Sequence, residues 1–214
     1  MSSTLFANAR LIDPETLQDG PGGLLVRDGR IAGRLDPGAT APADQVVDCA
    51  GACLAPGLID LGVKIGEPGE RHKESFRTAG RAAARGGVTT MITRPDTVPA
   101  IDNPETLEFV LRRAQADTPV NVLPMGTLTK GREGREMTEI GFLMDAGAVA
   151  FSDGDRVVEN AKVFSRALTY ARSLGALVIA HPQDPDLSRG ASATSGKFAS
   201  LRGLAGVSPM AERM

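Results

Sequence analysis

Polar and charged side chains follow three apolar stretches of this sequence, at the points where the stretches end. Arg94 and Asp96 follow one stretch, Asp153 follows a second, and His181 follows a third. Carboxylates and neutral imidazoles are the groups that bind a catalytic zinc ion. Because the carboxyl ends of parallel strands share one edge of a sheet, we expect these side chains to form a site there.

The stretch from 55 to 69, A-P-G-L-I-D-L-G-V-K-I-G-E-P-G, joins an apolar strand to a glycine-rich loop. Leu58, Ile59 and Leu61 form a run typical of a buried strand. The loop lacks the G-x-x-x-x-G-K-S/T pattern that holds nucleotide phosphates, so nucleotide binding has little support.

Composition limits the classes of function. The chain has 214 residues, of which 42% are hydrophobic and 23% charged, with a formal net charge of -2. Mixed charges without a broad basic region argue against nucleic-acid and membrane partners. The sequence has no run long enough for a membrane helix and no apolar block for a signal peptide, which predicts a cytoplasmic protein. Cys49 and Cys53 lack a second pair for a zinc site and are interpreted as reduced structural thiols.

Residues 1–53 predict a small β domain, with a hairpin turn at Asp28-Gly29. Residues 54–214 alternate between strands and helices, which predicts an α/β fold with a parallel sheet, either doubly wound or a (β/α)8 barrel. The predicted strands are 54–63, 88–93, 120–124, 148–151 and 176–180, and the predicted helices are 72–85, 104–116, 133–145 and 158–174. No further strand is predicted after Asp184. Five strands cannot close a barrel, so we expect a longer native chain rather than a partner that covers the edge.

Several motifs together resemble the class I dihydroorotases of the amidohydrolase superfamily. They are L-A-P-G-L-I-D-L, V-R-D-G-R-I-A, E-P-G-E-R-H-K-E-S-F, A-A-A-R-G-G-V-T-T, V-N-V-L-P-M-G, G-A-V-A-F-S-D and I-A-H-P. The resemblance implies a metal-dependent (β/α)8 barrel with a small β domain, which hydrolyses the ring amide of dihydroorotate in pyrimidine synthesis. The chain looks like the N-terminal half, with about five βα units of the barrel.

The positions that carry chemistry in that family are altered here. The family's first strand ends in His-x-His, two metal ligands, followed by a substrate-binding Arg; the corresponding residues are Gly62, Lys64 and Gly66. The family's second strand ends in Met-Pro-Asn-Thr, where this sequence has Arg94 and then Asp96 in place of the substrate-contacting Asn. Arg94 and Asp96 are interpreted either as an ion pair that fills an abandoned pocket or as contacts for a new anionic or polar ligand.

Asp153 and His181 match the metal ligands of the family's fourth and fifth strands and are interpreted as remnant ligands. Zinc is expected from the family, but the altered positions predict that it is absent or weakly bound. The Lys64 ammonium would repel a divalent cation. The alternative for Asp153 is therefore a salt bridge to Lys64 or Arg94 that fills the metal's place. For His181 the alternative is a strand-end histidine held by a hydrogen bond, and His72 is interpreted as a solvated loop residue.

Three functions remain open at this point. The first is a non-catalytic dihydroorotase-like protein that forms a homo-oligomer and acts as a structural or regulatory partner of aspartate carbamoyltransferase, a role that the resemblance implies. The second is an active cyclic amidohydrolase with a reduced metal site built on Asp153, His181 and residues beyond Met214. The third is a small-ligand binding module that uses Lys64, Arg94 and Asp96.

Overall fold

A computed structural model describes residues 2–213 of the chain. These residues form two compact units, with the division between Gly57 and Leu58. Among the residues described, no helix combines the length and the apolar character needed to cross a membrane.

The first unit is one five-stranded sheet. Strands β1, β2 and β3 form an antiparallel meander, and β4 and β5 both pair with β1 in parallel. The strands are β1 (Ser3–Asp13), β2 (Gln18–Arg27), β3 (Arg30–Leu35), β4 (Gln45–Asp48) and β5 (Cys53–Leu54). The predicted hairpin turn is confirmed, since Asp28 and Gly29 have the positive φ values, 49° and 74°, that a tight turn of this kind requires.

The predicted strand 54–63 is two strands rather than one. Strand β5 (Cys53–Leu54) pairs with β1 in the first unit, whereas β6 (Leu58–Val63) begins the sheet of the second unit. Pro56 separates the two strands, and proline has no backbone N–H to donate to a strand ladder. The apolar pattern continues through this break, which explains why the sequence predicts one strand.

The second unit is built from strands and helices in alternation. The sheet is parallel, with strand order β6-β7-β8-β9. Its further elements are α1 (Phe76–Arg85), β7 (Val88–Thr93), α2 (Pro104–Asp117), β8 (Asn121–Gly126), α3 (Ile140–Asp145), β9 (Ala150–Phe151) and α4 (Ala161–Ser173). The predicted fifth strand is reduced to one parallel bridge between Phe151 and Val178. This α/β arrangement is part of a (β/α)8 barrel.

The core of the second unit lies between the helices and one face of the sheet. Phe76, Leu107 and Leu143 from three helices cluster with Met91 and Phe151 from the strands, and all five are buried. Burial of large apolar side chains in this way is the main force that holds each helix to the sheet. Asn103 caps α2 by accepting a hydrogen bond from the Thr106 N–H, as the sequence predicts.

The predicted burial of the first barrel strand is wrong for the residues described. Leu58, Ile59 and Leu61 are 61%, 62% and 66% exposed. Strand β6 is the edge of the four-stranded sheet and pairs with β7 alone. Ile59 and Leu61 lie in register with Thr90 and Ile92, so they point to the sheet face opposite the helix-facing Met91.

Two predicted helices begin later than expected. Helix α1 begins at Phe76 rather than at His72, because the Ser75 side chain accepts a hydrogen bond from the Thr78 N–H and caps the helix there. Helix α3 begins at Ile140 rather than at 133. The preceding residues form a short 3-10 turn and an antiparallel bridge between Thr129 and Met137, which occupy the backbone groups that a helix would use.

The expectation of no strand after Asp184 is also wrong. Two short parallel strands, β10 (Ala193–Thr194) and β11 (Gly206–Val207), pair with each other in this region. Helices α5 (Pro185–Ser188) and α6 (Lys197–Arg202) accompany them. Strands of two residues are too short to produce an apolar pattern that can be recognised in a sequence rich in Ser, Gly and Ala.

A buried carboxylate fixes the loop that follows β6. Glu67 is 4% exposed, and its Oε2 accepts a hydrogen bond from the Phe76 N–H at the start of α1. Its Oε1 accepts a 2.9 Å hydrogen bond from Nε of Arg113 on α2. One side chain thus ties the loop to two helices.

Replacing Glu67 with Gln should lower the free energy of unfolding by about 2 kcal/mol, because the Arg113 guanidinium loses a buried charged partner. Urea unfolding followed by circular dichroism measures the change. Glu108→Gln on the exposed side of α2 is the control and should cost less than about 0.5 kcal/mol. Equal unfolding midpoints for the two variants would contradict the assignment.

Candidate functional site

The carboxyl ends of the parallel strands bring three of the predicted residues together. Lys64 follows β6 directly, and Arg94 follows β7 directly, with Asp96 two residues further on. The Lys64 Nζ lies 3.0 Å from Oδ2 of Asp96, and the Arg94 Nη2 lies 2.8 Å from the same oxygen. Two cations therefore share one carboxylate oxygen at the edge of the sheet where this fold carries its chemistry.

Asp96 is the buried centre of this group. Its side chain is 1% exposed, whereas the side chains of Arg94 and Lys64 are 26% and 52% exposed. Arg94 donates through both Nε and Nη2 to the two oxygens of Asp96, at 3.1 and 2.8 Å. This paired geometry is the strongest form of an arginine–carboxylate interaction. The ion pair that the sequence offers as one interpretation of Arg94 and Asp96 is confirmed.

Asp153 has different partners from those expected. Its Oδ1 accepts hydrogen bonds from the backbone N–H groups of Leu128 and Thr129 at 2.9 and 3.0 Å, and its Oδ2 accepts one from the Thr129 hydroxyl. Lys64 and Arg94, the two cations considered as partners of Asp153, both pair with Asp96 instead. Thr129 was not a candidate in the sequence, since a lone threonine in a loop carries no pattern that marks it.

Two further charged residues adjoin the site, and the sequence does not single them out as functional. The Arg132 Nη2 pairs with Asp155, and its Nε donates to the backbone oxygen of Asp153 at 2.9 Å. Asp155 also lies 3.6 Å from Nη2 of Arg94. Partial burial opposes ionisation of Asp155. The positive charges of Arg132 and Arg94, together with hydrogen bonds from Arg132 and from the backbone N–H of Asp155, outweigh this effect and hold the pKa of the carboxyl below its usual value.

His181 lies apart from the ion pairs but shares a cavity with Asp153. The imidazole is exposed, and its Nε2 is 3.0 Å from Oε1 of Gln183. Asp153 and His181 both line a cavity of about 210 Å³, together with Arg156 and apolar residues that include Phe164. The two candidate ligands, Asp153 and His181, therefore line the same cavity. His72 is exposed in a turn, as expected.

The backbone at the altered family positions is suited to glycine. Gly62 has φ of +96°, a conformation that side-chain-bearing residues rarely adopt. At Gly66 a Cβ atom would lie 2.3 Å from the backbone oxygen of Glu70, well inside van der Waals contact. A histidine at 62 or an arginine at 66 thus requires a different path of this loop.

The residues present do not fit the zinc site that the resemblance implies. Within residues 2–213, no three His, Cys, Asp or Glu side chains are grouped so that they could hold a metal ion. Lys64 presents an ammonium where a ligand is needed, and Asp153 already accepts three hydrogen bonds. A catalytic zinc requires about three protein ligands with free lone pairs. No chemical step through a metal follows from this geometry.

The lowered pKa of Asp155 predicts a pH-dependent contribution to stability. A carboxylate whose pKa is depressed by folding stabilises the protein above its ordinary pKa of 3.8 and loses that effect as the pH falls through the lowered value. Asp155→Asn should therefore lower the melting temperature near neutral pH, and the difference from the wild-type protein should shrink as the pH falls below 3.8. Calorimetry from neutral to acidic pH measures these melting temperatures, with the exposed Asp186→Asn as the control variant. A difference that persists unchanged in acid would contradict the assignment.

Comparison with known proteins agrees with the fold and the motifs. The profile of the Dihydro-orotase-like family matches residues 51–213. The chain is 42% identical over 205 residues to a dihydroorotase of Endomicrobium trichonymphae, covering 96% of this chain and 48% of that protein. It is 40% identical over 204 residues to a dihydroorotase-like protein of Pseudomonas putida, covering 95% and 48%. The chain thus spans about half the length of the curated relatives it matches.

Solved structures support the same fold. An L-hydantoinase (dihydropyrimidinase) from Arthrobacter aurescens superposes with a TM-score of 0.75 at 22% identity, covering 87% of this chain and 42% of that one. A dihydroorotase superposes with a TM-score of 0.57 at 16% identity, covering 85% and 51%. The family profile and the parallel sheet with its flanking helices lead to one conclusion: the chain belongs to the dihydroorotase-like family.

Proposed function

We propose that this chain is a non-catalytic dihydroorotase-like protein of pyrimidine synthesis that serves as a structural or regulatory partner of aspartate carbamoyltransferase. The observation that carries the loss of catalysis is the position of Lys64. Its ammonium lies 3.0 Å from the buried Asp96, at the position where the family resemblance expects a metal-binding histidine. A cation held in this place repels the divalent ion that the family's chemistry needs.

The backbone of the loop supports the same proposal. Gly62 and Gly66 occupy conformations or spaces that the family's histidine and arginine do not fit. The proposed loss of catalysis therefore involves the backbone path of the loop as well as its side chains. A glycine at 66 also lacks the side-chain donors of the substrate-binding arginine that the family resemblance expects there.

The partner in this proposal comes from the family resemblance, which includes inactive homologues that assemble with aspartate carbamoyltransferase. The homo-oligomer and the cytoplasmic location belong to the same proposal. A non-catalytic member is retained for its fold and its surfaces, so binding to the partner, rather than turnover, is the activity to look for.

A second candidate is a working cyclic-amide hydrolase with a reduced metal site. The observation that favours it is the cavity of about 210 Å³ that Asp153 and His181 line together. Asp153 would have to release the Thr129 hydroxyl to bind a metal, because that hydroxyl and two backbone N–H groups already donate to it.

Metal content and turnover, measured on the same preparation, test the loss of catalysis. We expect zinc well below one ion per chain after growth with added zinc, and no hydrolysis of dihydroorotate or synthesis from N-carbamoyl-aspartate above background. An active dihydroorotase purified in parallel is the control. One zinc per chain, together with turnover that disappears in His181→Ala, would establish the second candidate and remove the first.

Association with aspartate carbamoyltransferase from the same organism tests the partnership. Size-exclusion chromatography with light scattering should show a complex that contains both chains in a fixed ratio. Separate elution of the two proteins at micromolar concentration would contradict the partner role.

A further inference from the structure

We propose that five charged side chains form a clasp that holds the ends of neighbouring strands together without a bound metal. The strand-end clasp consists of Lys64, Asp96, Arg94, Asp155 and Arg132. In the order of their contacts the charges alternate in sign from one residue to the next. The inference rests on the proposed function only in taking the family's zinc site as lost.

The contacts of the clasp connect different strands. The Lys64–Asp96 contact of 3.0 Å joins the end of β6 to the loop after β7. Arg94 lies 3.6 Å from Asp155, which joins the end of β7 to the loop after β9. Arg132, in the loop after β8, completes the chain by pairing with Asp155. In a metal-dependent relative, ligands from several strands meet at one ion; here the same neighbourhood is joined by ion pairs.

Lys64 is the essential cation of the clasp. Arg94 and Asp96 belong to the same loop, so their ion pair alone connects no two strands. The carboxylate of Asp96 is buried, and a buried charge is costly unless it is paired. The Lys64 ammonium supplies a second positive charge to Asp96 and is the contact by which the edge strand β6 reaches it.

Gly154 leaves room for the two arginines of the clasp. A Cβ at Gly154 would lie 3.1 Å from Nη2 of Arg94 and 3.4 Å from Nη2 of Arg132. Gly154 has φ of +67°, so a larger residue is disfavoured by the backbone as well. At Gly62 a Cβ would make only an ordinary van der Waals contact with Cγ of Arg94, at 3.9 Å, so this position places no comparable limit on the clasp.

Thermal unfolding of Lys64→Met tests the clasp. Methionine keeps most of the aliphatic length and removes the charge, so we expect the melting temperature to fall by about 4 °C. Lys130→Met is the matched control: its side chain is 49% exposed against 52% for Lys64, and it pairs with the exposed Glu136. A surface pair of this kind contributes little, and a shift below about 1 °C is expected. Lys64→Arg keeps the charge and should recover most of the loss.

The outcomes separate the clasp from the proposed function. Equal melting temperatures for Lys64→Met and Lys130→Met overturn the clasp, even where the protein contains no zinc and the proposed function stands. The clasp is also overturned if a chelator lowers the melting temperature of the wild-type protein, because a bound metal would then hold the strand ends. The clasp is supported if the melting temperature falls in Lys64→Met but not in Lys130→Met, and if neither a chelator nor added zinc changes the melting temperature of the wild-type protein.

Discussion

The buried carboxylate of Asp96 is the constraint on which the rest of the site depends. A carboxylate removed from water is stable only with strong partners, and Asp96 has two, the paired donors of Arg94 and the ammonium of Lys64. These partners bring two positive charges to the strand ends. The same charges make the place unfavourable for a divalent cation, which is why the proposed function is a non-catalytic one.

The backbone at the end of β6 and in the loop after it disfavours the family's metal site, as the charged side chains do. Gly66 lies so close to Glu70 that the loop closes only around a residue without a side chain, and Gly62 has a backbone conformation that favours glycine. Asp153, which the family resemblance matches to a metal ligand, accepts hydrogen bonds from the Thr129 hydroxyl and from the backbone N–H groups of Leu128 and Thr129. A carboxylate at a position that resembles a metal ligand is poorly placed to bind a metal when its oxygens already accept hydrogen bonds.

Some of this could be predicted from the sequence, and the reasons for success and failure are physical. Local signals were sufficient for the turn at Asp28-Gly29 and the Asn103 cap, because each depends on residues within a few positions. The partner of Lys64 could not be predicted, since Asp96 and Asp153 both follow strands and only the packing of the loops decides between them. The exposure of Ile59 could not be predicted for a similar reason. The apolar sequence pattern of a strand is the same whether the strand lies at the centre of a sheet or at its edge.

The position of any bound zinc at the strand ends is the most direct test of this account. Crystals grown with excess zinc, with diffraction data collected on both sides of the zinc absorption edge, would locate the ion by its anomalous signal. The account predicts no zinc peak among Lys64, Asp96, Asp153 and His181, and a Lys64 ammonium in contact with Asp96. A zinc peak bonded to Asp153 and His181, with the Lys64 side chain turned away from Asp96, would contradict it.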